Sequence, residues 1–180
     1  MAKEIEKGAR AADISGQTVD AWKKVAEQSE WWMSQADIQD LLRNGKVLYL
    51  THLTKEGWPM VTPMFYCMLG DDLYTTTVKG RIKEIAYRRD NRMSASLSRE
   101  DISLTTEQAL TIKGRAEIVE DDAIVRRAVQ GYVDKYWGGF SKQEQERYFN
   151  TLYTKDRVAI RLVAEKIISW DVGKMEKARR

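Results

Sequence analysis

The sequence predicts a mainly β fold: a small closed or split β-barrel of six strands, with helices at the N-terminus and before the last strand. Three observations carry this. From Gly45 onward, apolar and polar residues alternate in short runs bounded by Gly, Pro and Asp turns. A short helical pattern interrupts the strands after the third run, as a crossover would. Two further helical patterns then precede one long apolar run near the end.

The elements follow in order. "TVDAWKKVAEQ" places Val19, Trp22, Val25 and Ala26 on one helical face, with Thr18 as its N-cap. "SQADIQDLLRNG" gives a second helix, capped by Ser34 and stopped at Asn44-Gly45. "KVLYLTHLT" is the first strand, "KEGWP" a turn and "WPMVTPMFYCML" the second strand. "GDD" at 70–72 is a hairpin signal leading into "LYTTT", the third strand. Ile82, Ile85, Ala86 and Arg89 recur at helical spacing, which predicts a short helix with that face buried. "RMSASLS" and "ALTIKGRAEIVE" are the fourth and fifth strands, separated by a polar loop. Asp121 to Tyr136 and "KQEQERYFNTLY", capped by Ser141, read as helices. "RVAIRLVAEKIISWDV" is the last strand, bent near Glu165. The division expected is a helical extension over 1–45, a barrel over 46–175 and a tail over 176–180.

Composition narrows the chemistry. The chain has 180 residues, 43% hydrophobic and 32% charged, which suits one soluble domain with a full core. Its formal net charge of +3 is too mild to argue for nucleic acid. One cysteine, Cys67, excludes an internal disulfide and argues against a cysteine-based metal site. One histidine, His52, removes histidine-cluster sites and counts against a Ser-His-Asp triad; in its alternating strand it reads as structural. No segment resembles a signal peptide or a membrane span, so a cytoplasmic protein is expected, with no metal, nucleic-acid or membrane partner. Its chemistry would come from something bound.

The stretch "TTTVKGRIKEIAYRRDNRM" raises the sharpest question. Lys79, Arg81 and Lys83 crowd the start of a helix, where the dipole disfavours cations. An anion answers it: Thr76 and Thr77 end a strand, Gly80 permits close backbone approach, and free N–H groups join the cations around a phosphate. Arg88, Arg89 and Arg92 read as a solvated basic face. In "GWPMVTPMFY", two prolines in one strand mark it as an edge or a bulge. That either protects an edge or frees main-chain groups to meet a flat heterocycle. "IISWDVGK" offers Trp170 as an aromatic lid or as packing, and Lys174 as a cation. Trp31 and Trp32 read as packing between the N-terminal helices and the barrel.

The order of "VLYLTHLTKEGWPMVTPMFY", "DDLYTTTVKGRIKEIAYRRDNRMSASL", "LTIKGRAEIVED" and "IISWDVGK" resembles the FMN-binding split-barrel family of pyridoxamine 5'-phosphate oxidase-like proteins. "SWDVGK" is most similar to the reductase branch that uses flavin or deazaflavin (coenzyme F420). The resemblance implies a homodimer of six-stranded split barrels, with cofactor in grooves between subunits. It implies that Arg81 and Lys83 hold the cofactor phosphate, that Thr76 and Thr77 touch phosphate and ring edge, and that the backbone of Val61, Thr62 and Pro63 runs along the ring. Trp170 and Lys174 complete the cofactor set. Where the family often has Arg before the lysine this chain has Ile82, and Asn91 replaces a usual Pro, so Lys79 is expected to supply a missing contact. Trp58, Tyr66 and Trp170 are candidate walls of a substrate pocket. The function implied is an FMN- or F420-dependent oxidoreductase acting on a small organic molecule. The alternative is a non-catalytic flavin or haem binder or sensor, with His52 as the available haem ligand.

Overall fold

The computed structural model describes residues 32–99 and 107–178. Helix α1 (Gln35–Asn44) leads into β1 (Leu48–Leu53), β2 (Pro59–Met64), β3 (Cys67–Leu69) and β4 (Asp72–Val78). Then come α2 (Ile82–Arg89), β5 (Arg92–Ser98), β6 (Gln108–Val119), α3 (Asp122–Trp137), α4 (Lys142–Leu152), β7 (Arg157–Asp171) and α5 (Val172–Ala178). The predicted helix around Trp22, and Trp31, lie outside the described residues. Where a tail was expected from residue 176, α5 is already under way.

The seven strands form one antiparallel sheet in the order β2-β1-β5-β6-β7-β4-β3. Its curvature follows from connectivity. Laid flat, with strands about 4.8 Å apart, β2 and β3 would be separated by about 29 Å. Only Phe65 and Tyr66 join them, and that linker reaches about 11 Å at full stretch. The sheet must therefore curl until its two edges nearly meet, which is consistent with a split barrel. Where six strands were expected, the predicted second strand is divided into β2 and β3. The cause is Tyr136 on α3: its hydroxyl accepts from the Tyr66 N–H at 3.1 Å and faces the Tyr66 and Lys46 carbonyls at 3.2 and 2.9 Å. These backbone groups are satisfied by a helix instead of a ladder.

Alternation along the strands builds the interior. Leu48 and Leu50, Leu73, Leu97, Leu110, Ile112, Ile160 and Leu162 pack within it. Helix α1 contributes Ile38, Leu41 and Leu42 to the same cluster. It is fixed by a capping box in which Ser34 and Asp37 satisfy each other's backbone N–H groups. A second cluster lies outside the barrel, where Val125, Ala128 and Tyr132 of α3 cover Cys67, Tyr74 and Ala159. The expected bend in the last strand is a bulge: Lys113 pairs with Lys166 and Gly114 with Ala164, so Glu165 is the extra residue. Gly114 is required there, because a Cβ would lie 1.9 Å from the Val163 carbonyl oxygen.

Candidate functional site

The turn from β4 into α2 is built around Gly80, whose φ of 78° favours glycine and around which no atom would meet a Cβ. The short helix that follows corrects the expected burial. Ile82 and Ile85 are 77% and 48% exposed, while Glu84, Ala86 and Tyr87 are buried. Glu84 turns inward because its carboxylate accepts from the Gly80 N–H at 3.1 Å and from Arg88. The Arg88 hydrogen bond, with help from Gly80, holds that carboxyl below its usual range. Tyr87 reaches across to donate to the Thr51 carbonyl at 2.9 Å, and Arg89 donates to the Leu53 carbonyl, tying α2 to β1.

The basic residues here fall into two groups. Lys79 donates to Glu120 at 2.6 Å, and Arg88 bridges Glu84 and Glu120. Their charges are compensated within the fold, and Arg88 and Arg89 are anchors instead of a free solvated face. Arg81 and Lys83 have no acidic partner within 4 Å among the described residues. Arg81 occupies the N-cap position yet makes no side-chain cap bond. Lys83 is partly buried, and burial together with the neighbouring Arg81 charge pushes its pKa down. Two adjacent cations, one of them desolvated, at the positive end of a helix form an uncompensated site for an anion. Because Glu84 already takes the Gly80 N–H, an anion has only the N–H groups further along the first turn.

Strand β2 stands beside this site. The Lys83 and Arg89 charges reach His52 and, after burial, lower its pKa. His52 pairs with Met60 of β2. It is buried, its ring packs edge-on to Tyr87 and its Nδ1 has no partner among the described residues. No residue of β2 is buried, and its outer edge pairs with no described strand. Proline has no N–H to give to a ladder, so Pro59 and Pro63 belong where the main chain faces that free edge. Strand periodicity turns Val61 the same way. The edge thus presents the Val61 N–H and the Pro59, Val61 and Pro63 carbonyls, while Thr62 faces β1 through its partner Leu50.

Thr76 and Thr77 are buried on β4. Thr76 and Pro63 line one cavity of about 310 Å3 at the split, with Val47, Met64, Phe65, Tyr132, Leu152 and Arg157. The structure therefore brings Pro63 and Thr76 together, while Arg81 and Lys83 do not line this cavity. Trp170 and Lys174 lie elsewhere, at the far end of β7: Trp170 pairs with Ala109, and Lys174 Nζ donates to the Trp32 carbonyl at 2.7 Å. Trp58 is 71% exposed at the β1–β2 turn. Tyr66 is no pocket wall: it is fully buried, and its hydroxyl, 2.7 Å from the Gly45 carbonyl and 3.1 Å from that of Leu41, is used inside the core. Its neighbour Phe65 lines the cavity instead. Arg157, Tyr132 and Phe65 were missed from the sequence because α3 and the β2–β3 break, which assemble them, come from distant parts of the chain.

Cys67 is buried, and burial pushes its thiol up to about 12, so it is not a nucleophile at neutral pH. Among the described residues no group of His, Cys, Asp and Glu is arranged to hold a metal, and no helix is long and apolar enough to cross a membrane.

The fold and site are thus a curled antiparallel sheet, consistent with a split barrel, with two cations at the β4–α2 turn that have no acidic partner among the described residues. The family model of pyridoxamine 5'-phosphate oxidase matches residues 34–166. The chain belongs to that family. No curated protein matches it. Among solved structures, it is similar to the conserved hypothetical protein Rv2991 from Mycobacterium tuberculosis, at 28% identity over 83% of this chain and 91% of that one, with a TM-score of 0.74. A putative pyridoxamine 5'-phosphate oxidase from Listeria innocua shares the fold at 23% identity, 77% and 97% coverage and a TM-score of 0.56. An F420 reductase shares it at 18% identity, 72% and 94% coverage and a TM-score of 0.51.

Proposed function

We propose that this protein is an oxidoreductase that binds FMN or coenzyme F420 at the β4–α2 turn and transfers hydride between it and a small organic substrate. The observation that carries this reading is the pair Arg81 and Lys83, unpaired at a helix start next to the free β2 edge. The bound heterocycle supplies the hydride chemistry. Arg81 and Lys83 hold its phosphate with charge-assisted hydrogen bonds. The Val61 N–H and the carbonyls beside it orient a ring whose edge alternates donors and acceptors. Exposed Met60, Val61 and Ile82 supply apolar surface that excludes water once covered. Of the two cofactors FMN is favoured, because Arg88, Arg89 and Lys174, which a longer anionic tail would need, already serve Glu84, Glu120 and two main-chain carbonyls. A haem role has no comparable support, since His52 is enclosed between Tyr87 and the nearby cations.

The covering surface is a second copy of this chain. The outer face of β2-β1-β5-β6-β7 aligns Pro63, Tyr49, Ser96, Thr111 and Ile168 in one row. Tyr49, Val61 and Ile168 are exposed apolar residues among small hydroxyl side chains, a surface that a second sheet packs against readily. Trp170 shares that face with Ile168, so a partner copy gives it a route to a groove it does not reach within its own chain. Native mass spectrometry of the protein as isolated, with its absorbance spectrum, tests both parts. The expected result is a dimer carrying a flavin or deazaflavin. A monomer that takes up neither cofactor when each is added would overturn the reading.

A further inference from the structure

The cavity at the split holds a cation that the cofactor site does not use. Arg157 opens β7 opposite Val78, the last residue of β4. One arm of its guanidinium is held in place, Nη1 donating to Thr76 Oγ1 at 3.2 Å. Its Nε is buried without a partner, and no carboxylate lies within 4 Å of the group among the described residues. Other arginines in or beside strands are matched: Arg161 by Glu117 and Asp72, Arg115 by Glu165 and Arg99 by Asp40. The hydroxyl of Tyr132 is committed to Thr75 Oγ1 at 3.2 Å, and Thr75 in turn donates to the Phe65 carbonyl at 2.8 Å. The neighbouring hydroxyls are thus committed to one another, while the Arg157 Nε–H is buried and unused.

The other walls are apolar: Val47, Pro63, Met64, Phe65 and Leu152. A cavity of about 310 Å3 is at the small end of ligand pockets. A desolvated guanidinium without a counter-ion is costly unless a ligand completes it, and its planar fork matches a carboxylate. We infer that this cavity binds a small monocarboxylate with a compact apolar body, Arg157 taking the carboxylate and Phe65, Met64 and Leu152 the body. This gives a substrate class to the oxidoreductase reading, and rests on that reading only in calling the guest a substrate. The cavity shares Pro63 and Thr76 with the residues expected to meet the cofactor, so a guest held by Arg157 would lie near the ring site.

Benzoate serves as the probe, with neutral benzamide as its isostere, titrated by NMR into the cofactor-free full chain. Benzoate is expected to bind at least about tenfold more tightly than benzamide. The shifts should centre on Phe65, Thr76 and Leu152. In Arg157→Gln the preference should vanish while FMN affinity stays within about threefold of wild type. Arg157→Lys, which keeps the charge but loses the fork, should retain part of the preference. Equal binding of benzoate and benzamide to the wild type would overturn the inference, as would shifts centred on Arg81 and Lys83. A loss of FMN binding in Arg157→Gln as large as the loss of benzoate binding would show that the guanidinium serves the cofactor instead. If Arg157→Gln does not fold, the wild-type shift map and Arg157→Lys still decide. A failure of FMN to bind any variant would defeat the cofactor reading and leave the carboxylate site standing.

Discussion

Replacing Arg81 and Lys83 by alanine removes the two cations that the fold leaves unpaired, and the structure sets how much each should matter. Lys83 is partly buried, so its contact to a phosphate is less screened; a hydrogen bond to a charged group contributes roughly 1.5–3 kcal/mol. At about 1.4 kcal/mol per decade, Lys83→Ala should weaken FMN binding by about 10- to 100-fold. Arg81 is exposed and its contribution is more screened, so about tenfold is an upper expectation for Arg81→Ala. Lys79→Ala is the sharp control. Its ammonium already sits 2.6 Å from Glu120, so the loss should stay within about threefold even though it stands in the same basic run. Fluorescence titration of FMN and of F420 into each cofactor-free protein measures all of these.

Stability gives an independent check on the same residues. Burial and the Arg81 charge depress the Lys83 pKa, so its unfolded form binds protons more tightly than its folded form. Stability therefore rises with pH from its depressed folded pKa toward 10.5, and charged Lys83 costs the fold below that window. Without cofactor, the double variant should be at least as stable as wild type at pH 7 and should lack this part of the rise. Wild-type affinity in the double variant, or a greater loss from Lys79→Ala, would refute the phosphate argument. A cofactor-free double variant markedly less stable than wild type would show that these side chains are structural.

Two further outcomes are expected. Lys135 has its Nζ buried without a hydrogen-bond partner among the described residues, 3.3 Å from the centroid of the Tyr66 ring, and burial brings its pKa down to about 8. Wild type should gain stability relative to Lys135→Met as pH rises from about 8 to 10.5, by about 1–2 kcal/mol after discounting for solvent screening; parallel denaturation curves at pH 7 and 10 check this. Gly114→Ala should destabilise by more than about 2 kcal/mol, because the added methyl meets the Val163 carbonyl at the bulge. Gly139→Ala, which meets nothing within 4 Å, should leave stability within about 0.5 kcal/mol of wild type, and thermal melts of the two distinguish a bulge requirement from a general intolerance of alanine.

The barrel was legible in the sequence because its information is local. Alternation through Leu48 and Leu50, the prolines of the edge strand and the caps Ser34 and Ser141 all act within a few residues, and α1, β1, the start of β2 and α4 are where their patterns put them. The extra break was not legible, because Tyr136 makes it from seventy residues away. The buried face of α2 was misread for a related reason. Ile82 and Ile85 share the helical period with Glu84 and Tyr87, one step out of phase. Hydrophobicity alone prefers the isoleucines, but Glu84 is drawn inward by Gly80 and Arg88, and Arg88 is set by Glu120 at the end of β6. Arg157 gave almost no signal, since an arginine at the start of an apolar strand ordinarily reads as a solvated end.

The cations of this fold divide into those that solvate a surface and those that stand without a partner. Counted along the chain, the basic residues nearly cancel against the acidic ones, leaving +3. Folding redistributes that balance unevenly. Lys79, Arg88, Arg92, Arg99, Arg115 and Arg161 are each given a carboxylate, and exposed lysines are served by water. Lys83, Arg157 and Lys135 receive no carboxylate among the described residues and are partly desolvated; Lys135 lies over the Tyr66 ring, while Lys83 and Arg157 stand where β4 ends, one at the helix start and one facing Val78 across the ladder. Placing two such groups at one strand end raises the cost of the folded chain by itself. Anions brought to both places would offset that cost, which is what the proposed phosphate at the turn and the proposed carboxylate in the cavity would do.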